Sequence, residues 1–451
     1  MVLLAFAVRV LWIALAHTYR IRTTEHNFGF GWETGRIAYS LAHGMGFSSP
    51  FGGNTGPSAW TAPVYPWIVS LAFRAFGSYS RAAAFALLSF NSLFGALTCW
   101  TIYRTARRVF NPTVAFWSGW VWALYPDAVS WSVKWIWETS LSAFLVSLLF
   151  MLTVEMEGDE RPSSWIGYGL LWGLAALTNP AALAFLPFAG CWLAYQLHRR
   201  GKRFLLPVSL SAVIFWMAIM PWLVRNYETF GHFIFIRDNF GNELRIGNNP
   251  LAEGAYVLAY HPSQSKFLLA KYVRLGEFAF CQDQGRLARQ WIVQHPKKFA
   301  VITLRRVWFF WNGIPRLSQI QWLAEIKNTH ILLLSVLGIG GLLLAWKRRV
   351  HGTFLFASLL LFYPVVYYIC FPEPRYRHPI DPELVMLGVY LVSEARPRTA
   401  ANHGKQELAE LDQDEVLPQF HTLSVIIPVY NERRTVLKLL QQVARQPLSL
   451  H

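Results

Sequence analysis

The chain has 451 residues, of which 54% belong to the set Ala, Val, Ile, Leu, Met, Phe, Trp, Tyr and Cys, 16% are aromatic and only 15% are charged. Soluble globular domains carry roughly 25% charged residues, so this composition excludes a disordered chain or a coiled coil and points to burial in a membrane. The formal charge of +16 would suggest nucleic acid in a polar protein, but here the basic residues form short clusters between long apolar runs, the pattern of a bilayer protein with no nucleic-acid partner.

Crossing a hydrocarbon core takes about 20 helical residues. Runs of that scale predict an all-α polytopic membrane protein of about ten transmembrane helices, near residues 1–17, 82–104, 112–130, 135–153, 164–179, 181–197, 204–223, 329–346, 352–371 and 380–393. The first run has no leading Lys or Arg and no small-residue cleavage site, so it is expected to be a retained span; Arg9 in its middle must snorkel, or the span begins further upstream. The run from Pro63 to Gly77 contains Pro66 and Arg74 and is expected to lie along the interface. The clusters Arg104/Arg107/Arg108, His198 to Arg203 and Lys347/Arg348/Arg349 then share one side, expected to be cytoplasmic. The opposite side receives residues 18–80, a large loop region at 224–328 and the stretch 372–379. Within the large loop, residues 285–311 read as an interfacial helix with aromatic anchors. The four cysteines (Cys99, Cys191, Cys281, Cys370) are far apart and support neither a zinc site nor a disulfide framework.

Residues 396–421 are polar and charge-rich, a linker by composition. They lead to residues 422–451, where a β-branched run, a turn and then Val436, Leu439, Leu440 and Val443 at helical spacing predict strand, turn and helix, too short to complete an α/β domain.

Three outer constellations can carry chemistry. WETGRIAYSLAHG predicts a short helix with Glu33 at its start and Arg36 at i+3. Glu33 is either a helix-terminus salt-bridge partner or a functional carboxylate. The irregular loop that follows, with Gly52, Gly53, Gly56 and Pro57, must line a cavity or pack on protein. In PEPRYRHPIDPE the closely spaced prolines predict an extended chain in which Arg375 and Arg377 share a side about 7 Å apart, suited to a phosphate or else to lipid headgroups and Glu373. Asp381 and Pro382 read as N-cap and first-turn Pro of the last span. Asp127, Lys134 and Glu138 stand at the outer ends of two spans, where the carboxylates would hold a divalent ion or meet Lys134. Arg225 and Asn226 leave the membrane before Asn248 and Asn249, which suit either sugar hydroxyls or a turn.

Taken together, these residues resemble the polytopic GT-C glycosyltransferases of the protein O-mannosyltransferase and aminoarabinose transferase type, over about residues 1–395. The carriers are WETGRIAYSLAHGMGFSSP, APVYPWIVSLAFRAFG, PWLVRNYETFG and RYRHPI. The resemblance implies an enzyme of the bacterial inner membrane that moves a sugar from a polyprenyl-phosphate donor to a protein, lipid or glycan acceptor on the outer face. It places the catalytic or metal-associated carboxylate on Glu33. Arg36, Arg225, Asn226, Asn248, Asn249, Arg375, Tyr376, Arg377 and His378 become candidate substrate-binding residues, and Glu33, Asp127 and Glu138 candidate ligands of a divalent metal. The tail, with SVIIPVYNE, resembles the opening of the dolichol-phosphate mannose synthase type of transferase, which implies a fused nucleotide-sugar glycosyltransferase fragment on the cytoplasmic side. The rival reading is a multi-span transporter or lipid flippase. It expects paired repeats and mid-membrane sites, whereas the halves show no convincing similarity and the candidate residues lie in outer loops.

Overall fold

The computed structural model describes residues 1–21, 28–314 and 321–395, with side chains from 328 onward in the last segment. The expected linker and the strand–turn–helix after it lie outside the described residues. Every one of the ten apolar runs is helical over most of its length, and the only β pairing among the described residues is an isolated bridge between Ser48 and Pro57.

Helix α1 (Val2–Leu15) is followed by α2 (Glu33–Ala42), α3 (Val64–Phe76), α4 (Arg81–Val109), α5 (Pro112–Leu124), α6 (Pro126–Lys134), α7 (Thr139–Glu155), α8 (Pro162–Thr178), α9 (Leu186–Arg199) and α10 (Leu205–Phe230). The second half contains α11 (Phe240–Gly247), α12 (Lys266–Leu275), α13 (Glu277–Gln294), α14 (Pro296–Asn312), α15 (Gln321–Lys347), α16 (Thr353–Phe362), α17 (Val365–Ile369), α18 (Pro374–Arg377) and α19 (Asp381–Glu394). Arg81–Val109, Leu205–Phe230 and Asn328–Lys347 are long and apolar enough to cross a bilayer. Proline divides two of the remaining apolar runs. Tyr125, before Pro126, is forced to ψ 123° and splits the run 112–130 into α5 and α6, while Pro364 separates α16 from α17.

The bundle is organised around α4, which packs on α1, α5, α6 and α7; α8 pairs with α10, and α15 with α19. The α15–α19 contact is backbone-close. A Cβ at Gly341 would lie 2.0 Å from the carbonyl oxygen of Leu387, and one at Gly338 2.5 Å from the Leu384 side chain. Small residues permit this approach where lipid offers no hydrophobic drive of its own. Arg9 does not snorkel: it is fully buried, donates to the Ala5 carbonyl at 3.1 Å and lies against Gly95 of α4.

The three basic clusters gather at one end of the bundle. Arg104 meets Glu155 at 2.9 Å, and Glu157 is shared by Arg200 at 3.3 Å and His351 at 2.7 Å. The opposite end is covered by α2, α3 and the segment from α11 to α14. The stretch expected to be one interfacial helix is two, α13 and α14, broken at His295–Pro296. Its Arg306 faces protein rather than lipid. It is fully buried and donates to the carbonyls of Ile369 at 2.7 Å and Tyr368 at 3.3 Å.

Candidate functional site

Glu33 is set by a strained turn. Gly31 at φ 78° and Trp32 at φ 46° take the chain sharply into α2, a costly conformation for a tryptophan. Packing holds it there: a Cβ at Gly31 would meet the Ile136 carbonyl at 2.7 Å, the Ile136 N–H donates to Gly29 at 2.9 Å, and the Trp137 indole donates to Phe28 at 3.0 Å. These contacts bring the first residue of α2 beside the turn before α7. Arg36, one turn on, lies against Gly52 of the glycine-rich loop.

That loop is clamped from the far side. Glu277, at the start of α13, is buried and accepts hydrogen bonds from Ser58 Oγ at 2.6 Å, Tyr272 Oη at 2.7 Å and the Ala59 N–H. Arg225 donates to the carbonyls of Ser58 at 2.7 Å and Phe47 at 2.9 Å, with its guanidinium over Trp222. It sits within the last turns of α10, which continues past the expected end at 223 to Gly231, a left-handed C-terminal glycine.

His261 then closes over Glu33. Its Nε2 lies 3.2 Å from Glu33 Oε1, its ring stacks on Trp32 at 5.7 Å, and Phe51 and Trp60 meet it edge-on. Nδ1 accepts the Ser263 N–H at 3.3 Å, so the ring proton is assigned to Nε2, facing the carboxylate. Burial, with Arg375 and Arg36 nearby, lowers the imidazole pKa to about 3, so the ring is neutral and the contact is not an ion pair. Burial raises the Glu33 pKa to about 7, opposed by its own backbone N–H and by Arg375 and Arg36. Glu33 Oε1 has no aligned hydrogen-bond donor among the described residues. Nothing in the local sequence around His261 singles it out, apart from a His–Pro turn in an outer segment.

Arg375 comes to the same cluster from the other end of the chain. Its guanidinium lies 3.9 Å from the centre of the Trp137 ring and donates to Tyr376 Oη at 3.0 Å. Burial alone would lower its pKa, but Tyr376, Glu373, Glu138 and Glu33 outweigh that and raise it, so it is a fixed cation. Glu243 of α11, held by Asn239 Nδ2 at 2.8 Å, adds a second, half-buried carboxyl whose pKa is raised by desolvation against Arg237 and Arg375.

Four sequence expectations are corrected by the geometry. The segment expected to be extended is helical at Pro374–Arg377, because Pro374, Pro379 and Pro382 each occupy a first-turn position where the missing N–H costs nothing. Residues two apart on a helix diverge by about 200°, so Arg375 and Arg377 do not form one fork. Arg377 pairs instead with Asp381 at 3.0 Å and donates to the Ile331 carbonyl, while His378 stacks on Trp122. Asp381 is the first residue of α19 rather than its N-cap. The carboxylates offered as metal ligands are not assembled: Asp127 pairs with His330 at 3.0 Å, Glu138 lies near Arg375, and no group of three or more His, Cys, Asp or Glu that could hold a metal occurs among the described residues.

The asparagines serve the backbone. Asn226 Nδ2 donates to the carbonyls of Ile234 at 3.3 Å and Ile236 at 3.5 Å. Asn248 Nδ2 donates to Leu244 and Ile369 and Asn249 Nδ2 to Arg245 and Ile246, with both residues fully buried. Geometry thus brings Glu33, Arg36, Arg375 and Tyr376 together and leaves Arg377, His378, Asn226, Asn248 and Asn249 in packing roles.

The architecture has solved counterparts. An oligosaccharyltransferase from Archaeoglobus fulgidus, determined in complex with Zn and sulfate, aligns over 91% of this chain with TM-score 0.51 and 15% identity, and 51% of its own length is covered. The same organism's AglB oligosaccharyltransferase, with an inhibitory peptide and a dolichol-phosphate, aligns over 98% of this chain and 54% of its own, with TM-score 0.52 and 14% identity. The fold is GT-C-like. A weaker likeness, with TM-score 0.47 and 14% identity over 89% of this chain and 63% of its counterpart, is to ArnT from Cupriavidus metallidurans bound to undecaprenyl phosphate. The chain therefore spans about half the length of the oligosaccharyltransferases whose GT-C-like fold it shares. The family model of dolichyl-phosphate-mannose-protein mannosyltransferases matches residues 60–224, from just after the glycine-rich loop into α10, and does not include Glu33. No curated protein sequence matches the chain.

Proposed function

We propose that this protein is a membrane glycosyltransferase that moves a sugar from a polyprenyl-phosphate carrier to an acceptor hydroxyl at the outer face, with the basic end of the bundle in the cytoplasm. The observation that carries the reading is Glu33: a buried carboxyl with its pKa lifted to about 7, faced by the neutral His261 and with the cation of Arg375 in the same cluster. The mannosyltransferase family match and the dolichol-phosphate bound by the oligosaccharyltransferase of like fold support a lipid-phosphate donor.

In this reading Glu33 takes the proton of the acceptor hydroxyl as its oxygen bonds to the anomeric carbon. The bond from that carbon to the phosphate oxygen breaks, and the departing polyprenyl phosphate leaves with its charge held by Arg375. A base that ionises near neutral pH suits the task, since a substantial fraction is deprotonated while the carboxylate stays basic enough to accept the proton. The aromatic walls formed by Trp32, Trp60 and Trp137 keep water from competing with the acceptor.

The test is a transfer assay on the full chain in proteoliposomes with a polyprenyl-phosphate sugar. Glu33→Gln keeps shape and hydrogen bonding but removes the base, so turnover should fall roughly a hundredfold with donor binding kept. In the wild type kcat/KM should rise with pH up to about 7 and level above it, as Glu33 deprotonates. Wild-type turnover in Glu33→Gln, or movement of lipid across the bilayer without covalent transfer, would sink the reading.

A further inference from the structure

Arg377 is two residues from Arg375 but belongs to a different set of contacts. Its Nε lies 3.0 Å from Asp381 Oδ1, and its Nη1 donates to the Ile331 carbonyl of α15 at 3.0 Å. Asp381 Oδ2 lies 3.4 Å from His378 Nδ1, and the His378 ring stacks on Trp122 at 5.2 Å. Arg377 and Asp381 are both 2% exposed, so this pair is inaccessible to a ligand.

The pair spans a junction. Arg377 ends α18, a 3-10 turn covers His378–Ile380, and Asp381 opens α19. A four-residue helix has no stability of its own, because nucleation outweighs its few hydrogen bonds. Something tertiary must fix it. Tyr376 stacks on Tyr367 at 4.7 Å from one side, and the Arg377–Asp381 pair ties the other side to α19 and, through Ile331, to α15. Burying two charges is costly, and apolar residues of equal volume generally stabilise as well or better. What the pair supplies that apolar packing does not is one defined geometry for the turn that carries Arg375.

We propose that Arg377 and Asp381 are positioning residues, whose buried pair locks the Pro374–Arg377 turn so that the Arg375 guanidinium stays over Trp137 and beside Glu33. Only the role of Arg375 in donor binding rests on the glycosyltransferase reading; the lock itself does not.

The experiment has two arms on the full chain in membranes. In a Cys191→Ser background, which removes the exposed native cysteine, Arg375→Cys is labelled with a maleimide. Asp381→Asn should speed this labelling roughly tenfold by releasing the turn. The exchange Arg377→Asp with Asp381→Arg should slow it again, and Arg104→Ala at the far end should leave it unchanged. Arg377→Lys, a conservative variant for the case that others fold poorly, should label at an intermediate rate. In the transfer arm, Arg377→Ala and Asp381→Asn should raise the donor KM more than they lower kcat, and should add nothing further in an Arg375→Ala background. Unchanged labelling in Asp381→Asn, or additive losses for Arg377→Ala and Arg375→Ala, would overturn the proposal, the latter by making Arg377 a donor contact. A wild type without transfer activity would refute the glycosyltransferase reading, while the labelling arm would still decide the lock.

Discussion

Arginines and glutamates meet at both ends of this bundle, with opposite consequences. At the end where α4, α7 and α19 finish, Arg104 meets Glu155 with side chains 49% and 26% exposed, and Lys202 meets Glu160 at 36% and 48%. Water screens such pairs, and they are worth about 0–1 kcal/mol each. At the other end Glu277 and Glu33 are buried among aromatic rings, and burial raises the pKa of both. The residue types are alike; apart from Glu157, buried between Arg200 and His351, the solvent is not. An exposed cluster reports which way the chain faces, whereas a buried one stores the energy that shifts protonation states and is the place to look for chemistry.

The comparison can be broken most forcefully at Glu277. Removing its carboxylate with Glu277→Ala leaves the donors of Ser58, Ala59 and Tyr272 buried without an acceptor, at about 1–3 kcal/mol each. Thermal unfolding in detergent should show a loss of about 3 kcal/mol or more, and the glycine-rich loop should become protease-sensitive. A loss under about 1 kcal/mol would mean that the clamp is dispensable.

Arg375→Ala should weaken binding of a polyprenyl phosphate by about 1.5–3 kcal/mol, as loss of charge-assisted hydrogen bonds predicts. Arg375→Lys should recover only part, because an ammonium cannot reproduce the planar fork or stack as well on Trp137. Equal affinity of wild type and Arg375→Ala would remove the phosphate from this end of the molecule.

Glu33 gives a pH signature in stability that is independent of turnover. Its folded pKa of about 7 stands above the ordinary 4.5, so the protonated form stabilises the fold at low pH and that contribution is lost as pH rises through about 7. Wild type should therefore lose on the order of 3 kcal/mol relative to Glu33→Gln as pH rises from about 4.5 to about 7, with no further divergence at higher pH. A constant difference from pH 4 to pH 9 would show that the carboxyl is solvated rather than buried.

The smallest effect belongs to the exposed end. Arg104→Ala should change stability by less than about 1 kcal/mol, and raising salt should erase even that. A larger loss would show that the two ends are less different than their exposures imply.

Much of this was legible in the sequence, and the residues show why. The helical runs, the shared end of the basic clusters and the placement of Glu33 at the first turn of a short helix at the opposite end all follow from local rules. A polar group in lipid is costly, apolar runs have a fixed crossing length, and charge accumulates where the chain leaves the membrane. Such constraints act on consecutive residues, so a linear reading finds them. The prolines of PEPRYRHPIDPE misled because Pro is permitted at a helix start as readily as in extended chain, and only packing against α15 and Tyr367 decides between the two.

The composition of the site was settled in three dimensions. Whether Arg375 or Arg377 turns to Glu33, that His261 is the residue facing it, and that Asp127 is taken by His330 depend on contacts between segments as far apart as residues 33, 137, 261 and 375. Asn226, Asn248 and Asn249 could not be sorted in advance either, since an amide serves a sugar hydroxyl and a backbone carbonyl with equal competence. Sequence fixes which groups are too polar for lipid and so must be gathered at the bundle ends; tertiary packing decides which of them lose their water, and with it which become reactive.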